Sequence, residues 1–486
     1  MKKRAACFLL LCLLMALGVL PATASAAGGQ DLYDIYLYNP RENSAGEGWS
    51  YEHSTKTLTL RDFHGTKGIF FYVPAADGEA PVRIVAEGSN TLTVSGTASA
   101  GVTAIEAVSD MELSGSGSLT ICASSINHLS AKGIDGNKLV VRDGVELSIT
   151  AVGSGPVYGI YLEKNLETTG SGDLSIQVSG ANEGMVCGIY TRRGVETTGS
   201  GDLTIQASGA GKERVCGIYN YDTGDILLGG TGAKTVTIEQ GGTGSCGIGN
   251  DSYGGIAVAD GSLTVNLPEK VGRGLFTKNY YGGPGQGIIT LSGAQVEING
   301  GDTGIFTKND DYKWVKPSVI VQDHSTLSIT GTASSGIYNV NDSVAIIDST
   351  VTIHAAEGFG IQFDHVYSAQ GLCVYGRSVV EILTNGSYAV TDSRSSDSSR
   401  GSVSLFDLAG GGSVTVSSGK NDDRAFHDYI GLGENTSLVM GKADEKYTYI
   451  SDIEAVRYWQ DTSTAPYLLK FEGIYPNPKP DSAWVT

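Results

Sequence analysis

Short bursts of alternating apolar and polar residues recur along most of this chain. They read NTLTV (90–94), SLTI (118–121), VELSI (145–149), DLSI (173–176), DLTI (202–205) and TVTI (235–238). They continue as SLTV (262–265), QVEI (295–298), TLSI (326–329), TVTI (350–353), VVEI (379–382) and SVTV (413–416). A period of two puts successive side chains on opposite faces of a strand, and no burst has helical spacing. Looser apolar runs lie between them: LVVRD (139–143), DILLG (225–229), GIITLSG (287–293), SVIVQD (318–323) and SVAIID (343–348).

A third element acts as a ruler. Glycine followed by a mostly apolar residue recurs at 68, 101, 133, 159, 188, 217, 247, 274, 304, 336, 360 and, in a weaker form, 386. The intervals are 33, 32, 26, 29, 29, 30, 27, 30, 32, 24 and 26 residues. A period near 29 that holds three short strands between glycine-rich corners is one coil of a solenoid. The expectation is an all-β, right-handed parallel β-helix of about eleven coils, with three strands per coil. At roughly 4.8 Å per coil it would be about 50 Å long.

Two coils are almost the same sentence. ETTGSGDLSIQVSGANEGMVCGIY (167–190) and ETTGSGDLTIQASGAGKERVCGIY (196–219) agree at 18 of 24 positions. Stacking each residue on its own copy explains this, with Leu174, Ile176 and Val178 pointing inward beneath Leu203, Ile205 and Ala207. Four of the six differences fall together in NEGM/GKER, which reads as a solvated turn where drift costs little. Cys187, Cys216 and Cys246 precede successive marker glycines and are expected to form an inward ladder beside Ile189, Ile218 and Ile248, as small apolar residues. A disulfide between adjacent coils is the alternative. The strand spacing allows it, but parallel Cβ vectors suit it poorly.

The ends depart from the ruler. Residues 1–26 read as a signal peptide, with Lys2, Lys3 and Arg4, an apolar run from Phe8 to Leu20, and Ala24-Ser25-Ala26 as a cleavage pattern. Residues 27–66 read as an N-terminal cap with the first strands (DLYDIYLYN, then GWSYEHSTKTLTLRDF), and 67–418 as the parallel β-helix. Residues 419–486 read as a C-terminal β cap or small module with a linker-like end. Caps are expected because open solenoid ends would template aggregation.

Composition narrows the partners. Without residues 1–26 the balance is 30 Lys+Arg against 52 Asp+Glu. So acidic a surface disfavours nucleic acid and anionic lipid, and nothing after the signal peptide is apolar enough for membrane insertion. Export predicts a secreted, extracellular protein, with cell-surface association open. The five remaining cysteines, Cys122, Cys187, Cys216, Cys246 and Cys373, form neither a tight disulfide scaffold nor a C-x-x-C zinc motif.

The opening at 48–60, SNTLTVSG (89–96), SGSGSLTI (114–121) and the repeated GI marker carry a resemblance over roughly residues 30–420. The chain resembles secreted bacterial right-handed β-helix proteins of the pectate-lyase-like superfamily, nearest their non-catalytic carbohydrate-binding or surface-protein branch. The enzymes of that superfamily imply a carboxylate cluster for calcium with a basic residue, or paired aspartates on adjacent coils. Asp173 and Asp202 stack, but in GD corners where Ser118 and Ser262 fill the same slot, which is turn chemistry. The histidines at 53, 64, 128, 324, 354, 365 and 427 are scattered. No resident cofactor is expected. Calcium on acidic loops such as DTGD (222–225) or NDDY (309–312) stays open.

The residue two after the marker glycine is aromatic in seven coils: Phe70, Tyr161, Tyr190, Tyr219, Phe276, Phe306 and Tyr338. If Cys216 and Ile218 face inward, Tyr219 faces water. Tyr161, Tyr190, Tyr219, Phe276, Phe306 and Tyr338 would then be an external stripe that grips sugar faces. The bland alternative is rings that stack on one another and shield the sheet. The expected function is a non-catalytic, exported module that binds a polysaccharide or surface glycan. Behind it come a spacer or adhesin meeting a host or cell-surface protein, and then a polysaccharide lyase or hydrolase.

Overall fold

The computed structural model describes residues 33–73, 81–96, 101–181, 184–210, 214–251, 253–279, 287–309, 317–364, 370–386, 388–392 and 403–419. Beyond these it describes the strands 426–427, 429–432, 436–441, 448–450 and 468–473. Strands dominate, and the described residues contain no helix.

Each coil contributes three strands. In the duplicated pair these are Leu174–Gly180, Val186–Thr191 and Val195–Thr197, then Leu203–Ser208, Val215–Asn220 and Ile226–Leu228. Each strand pairs in parallel with its counterpart one coil away: Leu174 with Leu203, Ile189 with Ile218, Val195 with Ile226. The alternating bursts form one wall, the marker strands a second and the looser runs a third. The third is a 16-stranded sheet, while the first two run together into one of 28 strands. They merge because the chain sometimes turns the corner without breaking, as in Ser262–Asn279 and Gln295–Asn309. The result is a parallel β-solenoid whose turn count is close to the eleven expected.

Leu203, Ile205 and Ala207 are buried with Leu174, Ile176 and Val178 in one continuous interior, while Thr204 is exposed. Copies stack on copies, so each coil's apolar face is covered only by its neighbours. Aspartates at the corners tie coils together: Asp173 Oδ1 accepts the Asp202 amide (3.0 Å), and Asp202 Oδ1 accepts that of Ala233 (2.8 Å). The stacked pair thus serves the turns, satisfying backbone donors that the parallel ladder leaves over.

Pairing changes sense at both ends. Ser44–Gly46, Trp49–Glu52 and Thr57–Arg61 form an antiparallel meander, and Thr57–Arg61 then starts the parallel third wall. At the far end Leu468–Gly473 adds antiparallel to Ser413–Ser418 and to Thr436–Gly441. Antiparallel closure blunts an edge that would otherwise offer a free ladder. The VRYWQ segment at 456–460 and most of NDDY lie outside the described residues.

Candidate functional site

The marker strands do not alternate simply, and this changes what they present. Val186 and Ile189 both belong to the interior, as do Val215 and Ile218. The glycine between them also faces inward: a Cβ on Gly188 would lie 2.4 Å from Ile205 Cγ2, and one on Gly217 2.2 Å from Val236 Cγ1. Two consecutive inward residues, glycine then isoleucine, slip the alternation by one and bend the wall. The residues on either side of this slip therefore emerge on the same outer face. Cys187 joins Tyr190 there, and Cys216 joins Tyr219.

The cysteines are therefore not an inward ladder. Cys187, Cys216 and Cys246 pack with Tyr219, Phe276, Phe306 and Val340 in a second apolar cluster, separate from the interior, with Tyr158, Met185, Tyr190 and Tyr338 at its margin. The expectation that Tyr219 faces water is overturned: it is 1% exposed, and Phe276 and Phe306 are buried as well. Tyr161, Tyr190 and Tyr338 are half-buried.

Two things cover the rings. They stack on one another, with Tyr161 and Tyr190 at 5.0 Å and 1° and Phe276 and Phe306 at 5.7 Å. Gly249 leaves a gap in the ladder between Tyr219 and Phe276, and a Cβ there would meet both rings and Cys246 Sγ within 3.3 Å. Arginines then lie over the faces: Arg214 is 4.1 Å from the Tyr219 centroid, and Arg273 is 3.9 Å from that of Phe306. Tyr219 donates its hydroxyl to Asp251 Oδ2 at 2.6 Å, and Asp251 also faces Arg214 at 3.8 Å. Burial and this bond push the Tyr219 phenol well above the ordinary tyrosine range. Burial likewise raises Tyr158, to about 12. In such a ladder rings meet rings and guanidinium groups, which leaves less of each ring to solvent.

Open ring surface lies instead at the N-terminal end of the same wall. In Tyr33–Tyr38, Ile35 and Leu37 are buried, which turns Tyr36 and Tyr38 outward. This strand pairs with Gly68–Tyr72, so Tyr36 stands over Phe70 (5.1 Å, 14°) and Tyr38 over Tyr72 (4.7 Å, 12°). Tyr36 and Tyr38 lie side by side with centroids 6.3 Å apart and planes within 7°. Tyr38 is 57% exposed. Tyr33 tilts against Tyr36 and Phe70 and donates its hydroxyl to Glu106 Oε2 at 2.7 Å. The array holds Phe70, already singled out in the sequence, but Tyr36, Tyr38 and Tyr72 were not. The signal was present: alternation of Ile35 and Leu37 places the intervening tyrosines outside.

Other candidates resolve into structure. Asp222 pairs with Arg192 (3.6 Å) and Asp225 Oδ1 accepts the Gly255 amide (2.7 Å), so both carboxylates of DTGD have partners. Among the described residues no three His, Cys, Asp or Glu gather as a metal site. An acidic, all-β solenoid with an outward-facing ring array at one end is the class of protein these observations define. No family model matches the chain, and no curated protein or solved structure is significantly similar to it.

Proposed function

We propose that this protein is an exported, non-catalytic binding solenoid that takes carbohydrate on the outward-facing Tyr36 and Tyr38, as in the carbohydrate-binding branch of the pectate-lyase-like superfamily it resembles. The observation that carries the reading is the pair Tyr36 and Tyr38. Two nearly parallel rings project outward from one strand with centroids 6.3 Å apart, each backed by a second ring that holds its orientation. A flat, pre-ordered apolar surface suits the C–H face of a pyranose, while the phenol hydroxyls serve the sugar hydroxyls. Tyrosine offers this contact at low entropic cost because only two torsions must be fixed. Exposed apolar patches of this kind mark interaction sites more often than chance surface.

Tyr161, Tyr190 and Tyr338 stand half-buried along the flank, outside the sugar site. Tyr219, Phe276 and Phe306 hold that flank together from beneath. A second reading, binding of a host or cell-surface protein, is favoured by one observation: among the described residues Tyr33–Tyr38 pairs on one edge only. A peptide strand added to the other edge would extend the wall.

A glycan array probed with and without calcium separates the readings. Retention of a polysaccharide that Tyr36→Ala and Tyr38→Ala both weaken supports the first. Retention unaffected by either change, or release of reducing or unsaturated sugar products, overturns it.

A further inference from the structure

The outer cluster places two thiols in contact. Cys216 and Cys246 are register partners on adjacent coils, and Cys246 Sγ points at Cys216 Sγ across 3.0 Å. The objection that parallel Cβ vectors keep such sulfurs apart is met by the rotamers, which turn the two sulfurs together. Neighbouring strands sit about 4.8 Å apart, inside the Cα range that a disulfide spans. Cys187, one coil back, is engaged elsewhere: its Sγ lies 3.1 Å from the Ile189 carbonyl oxygen. The cysteines lie outside the solenoid interior, in an outer cluster with Tyr219, whose ring carries the Arg214 side chain.

We propose that Cys216 and Cys246 are a disulfide-forming pair that fastens two adjacent coils beneath the aromatic cluster. Both are free thiols in this structure, so the bond is formed by exchange with a small disulfide such as oxidised glutathione. Cys216 thiolate attacks one sulfur of the reagent, giving a mixed disulfide and releasing one reduced thiolate. Cys246 then loses its proton and attacks the Cys216 sulfur, which forms the Cys216–Cys246 bond and expels the second reduced thiolate. Two cysteine thiols are oxidised and one reagent disulfide is reduced.

The surroundings assign these roles. Burial pushes the Cys216 thiol up, but the hydrogen bond from Cys246 and the charge of Arg214 outweigh it and hold the group below the ordinary cysteine range. The same hydrogen bond, followed by burial, raises Cys246, which keeps its proton until the mixed disulfide exists. An electropositive neighbour that favours thiolate is one mark of a reactive cysteine.

The test uses the chain without residues 1–26, which carries five cysteines, incubated folded with oxidised glutathione and, in parallel, refolded from denaturant in the same buffer. Free thiols are alkylated under denaturing conditions, and the non-reduced digest is mapped by mass spectrometry. The expected product is a Cys216–Cys246 peptide pair lighter by two hydrogens, with Cys122, Cys187 and Cys373 alkylated. Cys187→Ser retains the cross-link, whereas Cys216→Ser and Cys246→Ser each lose it, and the oxidised protein melts higher than the reduced one. A bond to Cys187, a persistent glutathione adduct on Cys216, or five alkylated thiols after both treatments overturns the proposal.

Discussion

Replacing Tyr219 with alanine tests whether the aromatic flank is a packed layer or a surface. The ring is 1% exposed, lies under Arg214 at 4.1 Å and fills the space beside Gly249. Truncating a fully buried aromatic ring costs about 3–5 kcal/mol, because the cavity left behind collapses only in part. The hydroxyl adds a charged hydrogen bond to Asp251, and such bonds carry about 1.5–3 kcal/mol. Tyr219→Phe, which keeps the ring and loses only that bond, should therefore cost about 2 kcal/mol. Tyr219→Ala should cost about 4 kcal/mol or more. Tyr190→Ala, at a half-buried ring, should fall well below the alanine change at 219. Urea unfolding followed by far-ultraviolet circular dichroism gives the ranking. Hydrogen exchange then locates the loss, since a solenoid coil depends mainly on its nearest neighbours and loosening should centre on 186–250. If Tyr219→Ala changed stability by no more than about 0.5 kcal/mol, the usual effect of a surface change, the packed-layer account would be wrong.

Three further outcomes follow from the interior and the corners. Lys234 is buried in register between Leu203 and Leu263, with its ammonium on the Gly230 carbonyl oxygen at 2.8 Å, so Lys234→Leu should stabilise the fold by about 1–2 kcal/mol. Burial holds this ammonium below the ordinary lysine range, so the unfolded chain binds its proton more tightly than the fold does. The Lys234 contribution to stability should therefore rise with pH up to about 10.5, and the stability gained by the leucine variant over wild type should shrink between neutral and alkaline pH. Gly217→Ala would place a Cβ 2.6 Å from the Gly247 carbonyl oxygen, which cannot yield as a side-chain tip can, and should cost about 1–3 kcal/mol in the same urea assay. Asp202→Ala leaves the Ala233 amide without its carboxylate and should cost about 1–2 kcal/mol, with faster exchange of that amide.

The solenoid was legible because its physics is repetitive: each core residue must stack on a residue like itself, so the ruler of glycine markers and alternating bursts survives in the text. Leu203 over Leu174 is a strand-pairing rule that can be read without coordinates. The orientation of Cys216 and Tyr219 was not legible by the same rule. Strict alternation from Ile218 puts Cys216 inside and Tyr219 outside. The glycine slip instead leaves Tyr219 outside the solenoid and brings Cys216 out beside it, where both are buried in the outer cluster and Arg214 lies over the Tyr219 ring. Arg214 belongs to the corner that reads as freely drifting, yet it is the residue that covers Tyr219. Tyr36 and Tyr38 were readable from Ile35 and Leu37, but their segment reads first as a cap. Lys234 escaped notice because nothing in AKTVTI says that a lysine stem can occupy the slot of a leucine.

The central claim is that sugar is held on the Tyr36 and Tyr38 rings at the N-terminal end and not on the packed flank. The most direct measurement is affinity electrophoresis of the wild-type chain, Tyr38→Ala and Tyr190→Ala through gels that contain the polysaccharide retained on the array. The account predicts that wild type and Tyr190→Ala are retarded while Tyr38→Ala migrates as it does without polysaccharide. Retardation of Tyr38→Ala equal to wild type would contradict it.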